Sequence, residues 1–112
     1  MLLMIGTNDT KKPTPLDVYS DNIRQIVLSS KANGLTPIVA TLPELTFSTY
    51  YQRNRDFIKE YSLEILRLSN MLDFVTCDMS NMEKFLIDGV HFDNEGYREI
   101  AHRFSKVILG MK

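Results

Sequence analysis

The sequence predicts an α/β fold, a parallel sheet with helices packed on its faces. Three observations lead there. Short apolar runs of four to six residues alternate with longer segments whose apolar residues recur every three or four positions. The connections between runs are about 15–20 residues or more, long enough for right-handed β-α-β crossovers. The composition, 44% hydrophobic and 24% charged over 112 residues, is that of one globular domain, residues 1–112, with a thin core if the sheet has three strands.

Leu2 to Ile5 is continuously apolar and stops at Gly6, the pattern of a strand buried on both faces. Thr14-Pro15 then opens a helix: threonine can cap, proline fits the first helical position, and Asp17 complements the helix dipole. Leu16, Tyr19, Ile23, Ile26 and Val27 share one face of that helix. Asn33-Gly34 ends it, because glycine accepts the left-handed cap conformation. Pro37 to Leu42 is the second strand, rich in β-branched residues and stopped by Pro43.

Ser48 or Thr49 is expected to cap the second helix, with Tyr50, Phe57, Ile58, Tyr61, Ile65 and Leu68 inward. Asp73 to Cys77 is the third strand, followed by a loop over residues 78–92. Asp93 caps the last helix, whose inner face is expected to be Tyr97, Ile100, Ala101, Phe104 and Ile108, with Gly110 at its end.

Charge excludes some functions. Thirteen basic against 14 acidic residues give a net charge of -1, and no basic block stands out, so nucleic acid is not an expected partner. No run approaches the roughly 18 apolar residues that span a bilayer, so no membrane partner is expected either. Met1 to Ile5 is too short for a signal-peptide core, which points to the cytoplasm if Met1 is the true start. The single cysteine, Cys77, excludes an intramolecular disulfide and reads as a small buried hydrophobe. No metal-ligand spacing is present, and the Gly6 loop lacks the glycines and lysine of a phosphate cradle.

In a parallel α/β sheet, sites form at the carboxyl ends of the strands, and the polar motifs fall there. Asp88 and His91 stand three apart in a turn that Gly89 lets tighten. The carboxylate can accept from one imidazole nitrogen, leaving the other to take a proton. Taken alone, D-x-x-H also fits an ordinary helix-entry loop with an exposed histidine. Asn8, after the first strand, can point its amide N–H₂ at a developing oxyanion; Gly6 allows the sharp exit and Asp9 can brace the loop. An Asx-turn leaving the strand explains Asn8 equally simply. Glu44 reads as a solvated loop acid, and His102 as a surface residue of the last helix.

In combination the motifs are more specific. Gly6-Thr7-Asn8-Asp9 after an apolar strand, with Asp88-Gly89-Val90-His91-Phe92-Asp93 ahead of Asn94-Glu95-Gly96-Tyr97 and an amphipathic helix, resembles the SGNH hydrolases, also called the GDSL esterase/lipase family. The resemblance runs over essentially the whole chain. It implies a three-layer α/β/α, flavodoxin-like fold, of which this chain would supply about three β-α units of the usual five-stranded sheet. It further implies hydrolysis of acyl esters and thioesters without metal or organic cofactor. On it, Asn8 matches the oxyanion-hole asparagine, His91 the general base, Asp88 the acid that orients it, and Gly6 the structural glycine of the same block.

The departure is the nucleophile. That family's serine sits in a G-D-S segment after the first strand, and no such segment exists here. Ser20, Ser29, Ser30, Ser62, Ser69 and Ser105 read as helix residues, Ser48 as a cap and Ser80 as loop. Cys77 ends the third strand, away from the position where the resemblance puts the nucleophile. The leading expectation is therefore the C-terminal part of a serine ester hydrolase, acting on a small acyl ester through a Ser-His-Asp triad whose serine lies outside these residues, and inactive alone. The alternative is a non-catalytic α/β binding or assembly module with vestigial motifs; a third is a serine donated by a partner chain. By the resemblance Leu2 to Ile5 would be a middle strand of the full sheet. With its outer side unpaired, it is expected to drive homodimerisation or other self-association through the exposed edge.

Overall fold

A computed structural model describes residues 1–4, 14–43, 55–85 and 92–111. Within them the order is β1 (Leu2–Leu3), α1 (Leu16–Ala32), β2 (Ile38–Ala40), α2 (Arg55–Leu72), β3 (Val75–Cys77), one turn of 3₁₀ helix (Glu83–Phe85) and α3 (Asn94–Gly110). The strands form a parallel sheet in the order β1-β2-β3, with Leu2 opposite Ile38 and Ala40 opposite Cys77.

The pleat of β2 sorts the core into two layers. Val39 points to one face, where it packs in a cluster with Tyr19, Ile23 and Val27 of α1 and Ile58, Tyr61, Ile65 and Leu68 of α2. Ile38 and Ala40 point to the other, where Cys77, Met79, Met82 and Phe104 of α3 cover them. Two helices on one face and one on the other make the predicted three-layer α/β/α sandwich. On the two-helix face the rings of Tyr19 and Tyr61 stack with centroids 4.1 Å apart. The Tyr61 hydroxyl donates to the Thr14 carbonyl at 2.6 Å, tying α2 to the start of α1.

The helix ends follow backbone chemistry closely. After α1, Gly34 adopts a φ of 76°, and the Leu35 and Gly34 N–H groups donate to the Ser30 and Lys31 carbonyls at 2.9 and 3.0 Å. That is the paired bonding of a left-handed helix stop, as the Asn33-Gly34 signal predicts. At its start, Pro15 itself takes the cap position, and its carbonyl accepts the Tyr19 N–H at 3.0 Å. Thr14 thus stands one residue too early for the predicted side-chain cap.

Three further expectations are corrected. Asp73 belongs to the end of α2, not to β3: its φ is 55°, Phe74 N–H donates back to the Ser69 carbonyl, and the Lys31 ammonium bonds the Leu72 and Asp73 carbonyls. Aspartate is among the few side chains that tolerate that region. β1 is buried on one face only, since Leu3 packs into the two-helix cluster while Leu2 is 52% exposed. On α3 the inward side is Gly96, Ile100, Phe104 and Val107, whereas Tyr97, Ala101 and Ile108 are exposed. Tyr97 instead meets the ring of Phe92 edge-on at 6.4 Å.

Candidate functional site

The predicted site residues Gly6, Asn8, Asp9, Asp88 and His91 lie outside the described residues, as do Glu44 and Ser48. The structure does describe the frame from which those segments depart: the exits of β2 and β3, and the entry to α3.

The exits of β2 and β3 are laced together. Thr41 N–H donates to the Cys77 carbonyl at 2.9 Å, extending the ladder one step past β2. The Thr41 side-chain oxygen then accepts the Met79 N–H at 2.9 Å. One residue on, Leu42 N–H donates to the Ser62 hydroxyl of α2 at 3.0 Å. Three backbone donors that have left the strands are thereby satisfied without water, as buried amides require.

Beyond β3 the chain turns on Asp78. Its carboxylate accepts the Ser80 N–H at 3.0 Å and the Ser80 hydroxyl at 2.9 Å, a side-chain-built turn. The Ser80 N–H is the main reason this carboxyl sits below the usual range; burial opposes it, and the Ser80 hydroxyl, the Arg103 charge and the Thr41 hydroxyl assist. Arg103 reaches from α3 to the Ser80 and Asp78 carbonyls at 2.6 and 3.3 Å, while its Nε donates to Glu99 at 3.0 Å. The Arg103 bond in turn holds the Glu99 carboxyl below its ordinary value. Asp78, Ser80, Arg103 and Lys106 border an open cleft of about 360 Å³ beside Cys77.

The entry to α3 is built around Asp93. Its carboxylate accepts the Gly96 N–H at 2.7 Å, the predicted cap. Its own N–H donates to the Phe85 carbonyl at 2.8 Å, so the two sides of the 86–91 segment are bonded to each other. Gly96 is buried here; a Cβ on it would stand 2.8 Å from that of Phe92 and 2.9 Å from that of Phe85.

Two side chains weighed from the sequence are placed as expected. Cys77 is 1% exposed and its thiol is pushed up by burial, which leaves it protonated and a poor nucleophile. His102 is exposed on α3. Of the serines read as helical, Ser20, Ser29, Ser30, Ser62, Ser69 and Ser105 all lie in helices. Among the described residues no cluster of His, Cys, Asp or Glu is arranged to hold a metal, and no helix is long and apolar enough to cross a membrane.

The residues that sequence reasoning passed over are Thr41, Asp78, Arg103 and Gly96. Each left a trace. Asp78-x-Ser80 is a turn pattern, Glu99 and Arg103 have the four-residue spacing of a helical ion pair, and a glycine in the first turn of a helix is unfavourable unless something packs against it.

No family model and no curated protein matches the chain. Solved structures do. A GDSL-like lipase from Bacteroides thetaiotaomicron VPI-5482 superposes with a TM-score of 0.83 over 99% of this chain at 16% identity. A protein from Desulfitobacterium hafniense DCB-2 assigned to the G-D-S-L family of lipolytic proteins superposes with a TM-score of 0.69 over 95% of this chain at 20% identity. The chain spans 62% and 63% of those two proteins. At these identities the likeness is one of fold, and the α/β fold of this chain is that of GDSL-like lipase structures.

Proposed function

We propose that this chain supplies the base side of a GDSL-type acyl-ester hydrolase. His91 is the general base, Asp88 the carboxylate that orients it, and Asn8 an oxyanion donor; a serine outside these 112 residues is the nucleophile. The observation that carries the reading is the agreement of two independent lines. D-x-x-H immediately precedes α3, and Gly6-Thr7-Asn8-Asp9 follows β1, in a chain whose fold superposes on a GDSL-like lipase over 99% of its length.

In this reading the serine hydroxyl attacks the acyl carbonyl as His91 takes its proton. His91 then returns that proton to the departing alcohol, and water repeats the cycle on the acyl-enzyme. Asp88 holds the imidazole in one tautomer and stabilises the imidazolium that forms. Asn8 donates to the oxyanion, which matters more there than in the ground-state carbonyl. Gly6 and Asp9 shape and brace the Asn8 loop.

The test has two arms. The 112-residue chain alone should hydrolyse p-nitrophenyl acetate no faster than its His91→Ala variant. The same chain preceded by a strand and a G-D-S segment should turn the ester over. In that protein His91→Ala should cost about 10⁴-fold or more, and Asn8→Ala on the order of 100–1,000-fold. Turnover that persists after His91→Ala would sink the assignment.

A further inference from the structure

We infer that Lys31 is a charge-dependent latch between α1 and the end of α2, and that acylation of its amine opens it. The reason begins with direction. Each helix crosses from the end of one strand to the start of the next parallel strand, so α1 and α2 run the same way. Their C-termini therefore lie together at the amino ends of the strands. A helix C-terminus leaves carbonyls without helical donors and carries partial negative charge. Two such ends are set side by side here.

α1 closes its own end. The Gly34 and Leu35 N–H groups bond the Lys31 and Ser30 carbonyls, and the Asn33 side chain donates to the Ser29 carbonyl at 2.8 Å. α2 has less to work with. Its last turn holds no basic residue, and the main-chain bond at its exit, Phe74 N–H to the Ser69 carbonyl, is long at 3.3 Å. The Lys31 ammonium reaches across from α1 and donates to the Leu72 and Asp73 carbonyls, at 2.5 Å each. It brings both hydrogen bonds and a positive charge to this end. Asp73 takes the left-handed turn there, and Phe74 enters the core beside Leu68 of α2 and Val27 of α1. The latch thus fixes where α2 stops and β3 begins.

The latch is switchable because it depends on one exposed lysine. Beside Lys31 lies a cleft of about 320 Å³ walled in part by Leu35, Pro37, Phe74 and Val75, with room for a short acyl group. The co-reactant is an acyl thioester. The Lys31 nitrogen bonds the acyl carbon and the carbon–sulfur bond breaks. The ammonium loses two protons, one to water and one to the departing sulfur, which leaves as a thiol. The product amide is uncharged and keeps a single N–H, so it serves at most one of the two carbonyls. The other loses its donor, and the cation is gone from between two negative helix ends.

The experiment is backbone hydrogen exchange followed by NMR in the 112-residue chain. Phe74 N–H is the reporter, and Thr41 N–H, at the opposite end of the sheet, is the reference. Lys31→Gln, which has no charge, should speed Phe74 exchange at least about tenfold and leave Thr41 unchanged. Lys31→Arg, which keeps the charge and the donors, should stay near the parent. Incubation with acetyl-coenzyme A should acetylate Lys31, as read by peptide mass mapping, and the purified acetylated chain should exchange like Lys31→Gln. Parent-like Phe74 exchange in Lys31→Gln, an equal loss in Lys31→Arg, or a rise that is as large at Thr41 overturns the latch. A chain that acetylates at Lys59, Lys84 and Lys106 but not at Lys31 overturns the acylation site.

Discussion

The side-chain oxygen of Thr41 accepts the backbone N–H of Met79 at 2.9 Å, so the chain leaving β2 holds the chain leaving β3. Both residues are buried, Met79 completely. Valine at position 41 would keep the shape and remove the acceptor, leaving the Met79 amide without its partner. Such an orphaned amide costs about 1–3 kcal/mol. Thr41→Val should therefore lower the unfolding free energy by that much, read as a lower urea midpoint at unchanged slope, and Thr41→Ser should recover most of the loss.

Asp78 gives the fold a defined acid sensitivity. Its carboxyl is held below the ordinary value, first by the Ser80 N–H. A depressed folded-state pKa means that the charged form stabilises the fold above the unfolded-state pKa. That contribution disappears as pH falls through the folded one. Asp78→Asn should thus be less stable than the parent at neutral pH, and the two should converge as the pH falls through the lowered carboxyl pKa. Because Asp78 is exposed, the difference should be modest. Denaturation midpoints measured across pH would check it; a gap that is constant with pH would refute the assignment.

Burial of Cys77 makes a second chemical prediction. A thiol 1% exposed, with its pKa raised mainly by burial, presents almost no thiolate at neutral pH. Iodoacetamide should alkylate it at least about tenfold more slowly in the folded chain than in urea, since the thiolate is the reacting species. Alkylation followed by intact mass would read both rates.

Much of the architecture was legible in the sequence because it rests on local chemistry. The Asn33-Gly34 stop, the Asp93 cap and the Tyr19, Ile23, Val27 face all depend on residues a few positions apart. What was not legible depends on contacts distant in sequence. The inward side of α3 is set by where Cys77, Met79 and Ile38 present apolar surface, and that turns Tyr97 and Ile108 outward although they fit a helical stripe. Asp73 looked like the first residue of a strand because the left-handed turn it adopts is stabilised by Lys31 of another helix. At the candidate site, Asn8, Asp88 and His91 are proposed from the sequence and lie outside the described residues, while the packing of Phe85 and Phe92 on Gly96 became visible only once the core beneath α3 was in place.

The outer edge of β1 yields the last prediction. No strand lies against that edge among the described residues, and Leu2 and Met4, two apart along the chain, are 52% and 37% exposed, with Met1 at 38%. An open strand edge beside apolar side chains is a template for pairing with another chain. Two copies can satisfy it through a two-fold axis that sets β1 against β1. Light scattering should therefore give a concentration-dependent dimer in the micromolar range. Leu2→Lys, which leaves the β1–β2 register and the Leu3 contact to the core untouched, should shift the population toward monomer by tenfold or more in dissociation constant, about 1.4 kcal/mol. A chain that stays monomeric at every concentration, or a dimer indifferent to Leu2→Lys, would show that this edge is not where the copies meet.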